Sequence, residues 1–344
     1  MSMNLVLNVT LKWVLMVLAF GVGIAGILSW VERKMSAVIQ DRIGPNRASI
    51  MGFTFLGLFH PIADAIKSFT KEDFVPEGAN RLMFFMAPMI ALIPGMIALS
   101  VLPFGPGDNL VIANMNSGIV ALLAITSFGI YGAVLGGWSS NNSFAMLGSL
   151  RAAAQMISYE VSMGLNLVGL FMIFGTLSFT TMVYAQGHLL WGWLPEWGIV
   201  VQPLGFLLFL AASLAENKRA PFDLPEGESE IIGYNVEYSS MRFATFFLSE
   251  FLESVVISAL ITVLFLGGWQ IPWLDPQGIA GGWIRVLQVG AFIFKTIVMI
   301  WILMLLRWTL PRFRYDQVMK LGWKVILPLS LLNILVTAII LAML

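Results

Sequence analysis

The sequence predicts an all-α polytopic membrane protein, with about eight transmembrane helices plus an in-plane amphipathic helix on the cytoplasmic side. Three observations carry this expectation. Only 11% of the 344 residues are charged and 58% are apolar; a soluble domain carries about 25% charged residues, so this chain cannot cover itself with a water-facing surface. Asp, Glu, Lys and Arg are absent from 13–31, 82–107, 109–150, 161–195, 197–215, 254–274 and 325–344, and about 20 apolar residues cross about 30 Å of hydrocarbon. The apolar runs are long and unbroken, whereas a membrane barrel shows alternating segments of about 10 residues.

Spans are expected near 11–31, 83–103, 117–138, 152–175, 199–216, 241–266, 284–308 and 323–343, within a single membrane domain covering 1–344. The first stretch is too long for a secretory h-region and lacks a small-residue cleavage site, so it is expected to remain as an anchor. Of 19 Lys and Arg, 16 fall in the loops 32–82, 139–151, 217–242 and 307–324. The positive-inside rule makes these loops cytoplasmic and puts both termini outside.

In the first cytoplasmic loop, 32–82, Phe55, Phe59, Ile62, Ile66 and Phe69 recur at helical spacing beside the polar stripe His60, Asp64, Lys67 and Lys71. This pattern predicts an amphipathic helix over 53–72 lying in the interface. A soluble helix packed on a partner protein is the alternative.

Composition also excludes. Net charge is zero, which implies no nucleic-acid partner. There is no Cys, so disulfides, cysteine-ligated iron–sulfur clusters and thiolate chemistry are excluded in this chain. His60 and His188 are the two histidines, and no haem or metal site is expected. No internal repeat is visible, which argues against an inverted-repeat transporter.

Charge inside the spans carries the chemistry. Glu160 lies nine residues after Arg151 and Glu250 eight after Arg242, roughly 12–14 Å from those ends at 1.5 Å per residue. Glu253 is one turn beyond Glu250 on the same face. Lys295, ten residues from Arg285 and twelve from Arg307, also sits near mid-membrane, and Glu216 closes the fifth span. Isolated charges there cost at least about 2.5–3.5 kcal/mol each, so Glu160, Glu250, Glu253 and Lys295 are expected to form one polar layer entered past Glu216. Packed carboxyls in low dielectric perturb one another, which suits proton sharing. A static Lys–Glu pair that only fixes packing is the alternative.

Two loops add to this layer. The acidic cytoplasmic loop, 217–240, holds Asp223, Glu226, Glu228, Glu230 and Glu237 between stiffening prolines and beside Phe222, Tyr234 and Tyr238. The Gly44-Pro45-Asn46 turn of the first loop aims Arg33 and Arg42 at anionic lipid, a partner's acids or a polar ligand head. Plain positive-inside anchoring is the other reading of those arginines.

These blocks together resemble one family, the quinone-chamber component of respiratory complex I, known in mitochondria as NADH dehydrogenase subunit 1. The matching stretches are ERKxxAxxQDRIGPN at 32–46, PxADAxKxxxKE at 61–72, RAAAQMISYE at 151–160, ENKRAPFDLPEGESE at 216–230, GYNVEYSSMRFA at 233–244 and LPRFRYDQVMKLGWK at 310–324. They run nearly the whole chain in order. The resemblance implies a membrane subunit without a redox cofactor of its own, in a proton-translocating NADH:quinone oxidoreductase. It implies a quinone entrance tunnel and chamber matching Arg33, Arg42, Asp64, Phe222 and Glu237. It implies a coupling row matching Glu160, Glu216, Glu226, Glu228, Glu230 and Glu250, and an interface loop matching Arg307, Arg312 and Arg314. Quinone is the implied substrate. FMN, iron–sulfur clusters and NADH are implied only in partner subunits, and antiporter-like membrane subunits and lipid are the other implied partners. The implied location is the bacterial cytoplasmic membrane, or the mitochondrial inner membrane if organellar. Three departures stand out: His60 replaces the family's usual Gln, one residue is deleted between Glu230 and Gly233, and Glu253 is an added carboxylate. A component of a complex I-related hydrogenase and a secondary transporter are the rival readings.

Overall fold

The computed structural model describes residues 9–107, 110–190, 192–227, 230–231, 233–274 and 281–343. Glu228, expected in the coupling row, lies outside them. Seven described helices are long and apolar enough to cross a membrane: α1 (Val9–Ile39), α3 (Arg81–Val101), α4 (Gly118–Ser139), α5 (Ser143–Phe174), α9 (Ser240–Phe265), α10 (Gly281–Thr309) and α11 (Tyr315–Met343). A shorter apolar helix, α8 (Pro203–Glu216), occupies the eighth position. The short pieces are α2 (His60–Thr70), α6 (Phe179–Ala185), α7 (Gly198–Val201) and a two-stranded hairpin, β1 (Leu189–Leu190) against β2 (Leu194–Pro195).

Four boundaries depart from the sequence reading, each for a local reason. Helix α11 begins at Tyr315 rather than 323, with Arg314 N–H donating to Gln317 Oε1 at 3.0 Å. The span expected over 199–216 is broken at Gln202 (φ −136°, ψ 62°), because a residue before proline is pushed out of the helical region. The 14 residues of α8 are about 21 Å long, less than the hydrocarbon thickness. Helix α5 has 32 residues and begins before Arg151, with the Asn142 side chain accepting from Phe144 N–H at 2.9 Å. The amphipathic helix starts at His60, not 53, because Phe55, Leu56 and Gly57 have positive φ and form a separate tight turn.

Helix α9 is the centre of the bundle: 78% of its most apolar window is buried, and it touches α1, α2, α3, α8 and α10. Close approach elsewhere uses small residues. A Cβ on Gly132 of α4 would stand 2.6 Å from the Ala91 backbone nitrogen of α3. Without a hydrophobic drive between helices in lipid, such backbone proximity is a main source of packing energy.

The loops carrying most of the basic residues meet at one end. There Asn80 N–H donates to Ser139 O at 3.1 Å, Ser240 Oγ to Ser68 O at 2.8 Å, and Arg312 pairs with Asp223 at 2.8 Å. At the far end, Gln186 Oε1 accepts from the N–H groups of Gly198 and Gly267, and its Nε2 donates to Val263 O at 3.0 Å.

Candidate functional site: a membrane cavity beside a carboxylate cluster

A cavity of about 630 Å³ opens between α1, α2 and the first turns of α9. Its polar wall is Arg33, Asp64, Lys67, Ser68 and Lys71, and its apolar wall includes Phe69, Phe243, Phe247 and Phe251. Arg33 and Asp64 form an ion pair at 2.7 Å, each less than half exposed. The walls are tied where α2 meets α9: Ser239 Oγ donates to Glu72 O at 2.9 Å, and Arg242 pairs with Asp73 at 3.1 Å. The Arg242 guanidinium also lies 3.7 Å from the Phe85 ring centroid.

On the other side of α9 lies a cluster of carboxyls. Glu216 ends α8 and is buried; Glu160 and Glu253 both act on it electrostatically. The Ser127 hydroxyl donates to Glu160. Tyr234 O–H donates to Glu250 at 3.4 Å, Glu226 lies within hydrogen-bonding reach of Glu250, and Asn235 Nδ2 donates to Glu226 at 3.1 Å. Glu253 pairs with Lys218 at 3.6 Å.

The cation of this cluster is therefore Lys218, which sequence reasoning counted only as a loop charge. It is 5% exposed. Burial works against its charge, but the carboxyls of Glu253, Glu250 and Glu226 outweigh burial and hold the ammonium above its ordinary pKa. The Tyr234 phenol is pushed well above its ordinary value by burial and then by the same carboxyls.

Lys295 stands apart from the carboxylates. Its ammonium donates to the backbone oxygens of Leu266 (2.7 Å), Gly268 (3.1 Å) and Gln270 (2.7 Å), and lies 4.2 Å from the Trp197 ring centroid. The polar layer expected from depth alone thus contains the glutamates without this lysine. The carbonyls left free beyond the end of α9 satisfy the half-buried ammonium instead.

A short bridge joins cavity and cluster. Phe251 lines the cavity, and the Arg219 guanidinium sits 4.3 Å over its ring. Arg219 pairs at 2.9 Å with Glu32, the chain neighbour of Arg33. Arg307 pairs with the other Glu32 oxygen. Glu32 and Arg219 are thus functional candidates that sequence reasoning missed. Glu32 opens the quoted motif at 32–46, the one signal that could have found it.

The remaining predicted residues are dispersed. Phe222 is buried against Phe313 and Tyr159, with ring centroids 5.4 and 5.8 Å apart, and is not on the cavity wall. Its carbonyl and that of Ala215 accept from Gln155 Nε2 at 2.8 and 2.7 Å, which pins the acidic loop and α8 to α5. Glu237 accepts from Asn142 Nδ2 at 2.6 Å. Glu230 pairs with Arg151 at 2.8 Å. Arg42 is exposed, with Nε 2.8 Å from Gln40 Oε1. Arg314 is exposed and pairs with Asp316 at 3.0 Å. Burial raises the Asp223 carboxyl above its usual range, against the opposing pull of Arg312 and Arg307.

Comparison with known proteins gives a consistent result. A family model described as NADH dehydrogenase matches residues 11–338. The first of the H-type subunits of the Geobacter metallireducens NADH-quinone oxidoreductase is 45% identical over 326 residues, 92% of each chain. The corresponding protein of Cytophaga hutchinsonii is 42% identical over 322 residues, 91% of each chain. That of Thermomicrobium roseum is 44% identical over 329 residues, again 92% of each chain.

Proposed function

The chain belongs to the NADH dehydrogenase family, and from that premise we propose how this membrane subunit of an NADH-quinone oxidoreductase works. The cavity between α1, α2 and α9 takes the quinone. A quinone is a flat polar head on a long apolar tail, and a lipid-facing apolar groove with a few polar groups suits it. Phe69, Phe243 and Phe247 offer surface to the tail, and the Arg33–Asp64 pair offers a donor and an acceptor to the head.

Electrons reach the quinone from partner subunits. This chain has no Cys, and among the described residues no group of His, Asp and Glu could hold a metal. FMN and iron–sulfur clusters are assigned to peripheral partners, along with NADH. Two electrons and two protons convert a quinone to a quinol. Until its two protons arrive the doubly reduced quinone carries negative charge, and that charge acts through Arg219, Phe251 and Glu32 on the carboxyls behind α9. A cluster of mutually interacting carboxyls in low dielectric passes such a change on as proton uptake or release. Antiporter-like membrane subunits are the receivers of that signal, with protons as the coupling ion. Arg42, exposed at the basic end, and the loop of Arg307, Arg312 and Arg314 are assigned to the face that meets the peripheral subunits. The basic end is cytoplasmic and both termini are periplasmic, by the positive-inside rule.

The observation that carries this reading is the juxtaposition itself: a mainly apolar cavity with one polar wall and a buried carboxylate cluster share α9 and one Arg219–Phe251 contact. The test uses the assembled complex in proteoliposomes. Arg33→Ala should raise the quinone KM about tenfold, the equivalent of about 1.4 kcal/mol. Glu250→Gln should lower protons moved per electron more than it lowers quinone reduction. Wild-type values for both variants would sink the proposal.

A further inference from the structure

We propose that Lys218 is a positioning residue, the resident counter-ion of the carboxylate cluster, and that its ion pair with Glu253 sets how many neighbouring carboxyls hold protons. The proposal deepens the coupling reading above.

Geometry carries it. Lys218 leaves the end of α8 with φ +54°, a left-handed conformation that a non-glycine residue keeps where its surroundings over-determine it. Its ammonium reaches Glu253 on α9 and lies 5.8 Å from the Tyr234 ring centroid in the acidic loop. Tyr234 in turn donates to Glu250. One cation therefore touches three elements. A lysine that merely capped α8 would direct its charge at the last carbonyls of that helix.

The charge balance points the same way. Glu250 and Glu253 face Lys218 from α9, and Glu226 faces it from the acidic loop. Glu216 feels it from the end of α8, and Glu160 of α5 acts in turn on Glu216. The other nearby cation, Arg219, also acts on Glu250 and Glu253, but its ion pair is with Glu32 at 2.9 Å, which leaves Lys218 as the cation paired within the cluster. An opposite charge within about 4–6 Å changes a carboxyl's proton affinity by about 1–3 pH units. Removing the ammonium should keep the remaining carboxyls protonated to higher pH. Neutralising Glu253 should free the ammonium to favour the other anions, with the opposite effect.

The test is a charge-neutralisation cycle in the assembled complex. The readout is the infrared carboxyl band that separates each complex from its Glu250→Gln counterpart, titrated against pH. Lys218→Gln should shift the band's midpoint up by at least about one pH unit, and Glu253→Gln should shift it down. The double variant should return toward wild type, and Lys218→Arg should match wild type. Singles that shift in the same direction, an unshifted midpoint, or an Arg variant as perturbed as the Gln variant would overturn the proposal. If Lys218→Gln does not assemble, the downward shift of Glu253→Gln alone decides. The readout needs no turnover, so normal quinone kinetics in Arg33→Ala would sink the quinone reading and leave this result standing.

Discussion

At the scale of single residues, Glu32 ties together three parts of the basic end. It takes Arg219 on one oxygen and Arg307 on the other, and so joins α1, α10 and the segment after α8. Removing one partner from a buried ionic group leaves the others uncompensated, at about 3–5 kcal/mol for full burial. Glu32 and Arg219 are nearly buried, but Arg307 is 30% exposed, so about 2–3 kcal/mol is expected for Glu32→Gln. Thermal unfolding of the solubilised complex should show a lower midpoint, and an unchanged midpoint would mean that solvent replaces the pair. Legibility from sequence also divides at this scale. Spacing gives the depth of Glu160, Glu250 and Lys295, but not which way each faces. The glutamates converge because α5, α8 and α9 pack together. Lys295 turns to carbonyls that exist only because the chain folds back at Gly267 and Gly268. The burial of Lys218 is a product of tertiary packing and left no mark in local pattern.

At the scale of elements, charge-free runs placed the spans well because lipid enforces length and composition at once. What they could not place were ends governed by caps and breaks. Pro203 and Asn142 were local signals for two of these; the positive φ of Phe55 and Leu56 was not signalled by residue type. The α3–α4 contact gives an element-scale prediction. Gly132→Leu forces a side chain onto the Ala91 backbone, and the helices must part. Overpacking of this kind costs about 1–3 kcal/mol or more. The variant chain should be depleted from assembled complex on native gels, while Gly164→Leu, whose Cβ meets nothing within 4 Å, should assemble. Equal assembly of both would show that the α3–α4 distance is not fixed by this contact.

At the scale of the whole molecule, the absence of Cys makes sidedness directly measurable. A single cysteine placed at Met51, 95% exposed, should react with an impermeant maleimide only in inverted vesicles. One at Trp193, in the hairpin at the opposite end and 62% exposed, should react only in right-side-out vesicles. The reverse pattern would overturn the assigned orientation. Positive-inside counting works at this scale because it sums many weak contributions, whereas the cavity and cluster depend on where a few side chains meet.

The length of α5 has a mechanical consequence. Its 32 residues make a rod about 48 Å long, some 18 Å more than the oil it crosses. Arg151 stands 23 residues from Phe174, about 35 Å along the axis, so a tilt of about 3° about that far tip moves it by about 1.8 Å, a large part of its 2.8 Å separation from Glu230. Bilayer thickness, by leaning this mast, thereby gains mechanical leverage over the acidic loop without touching it.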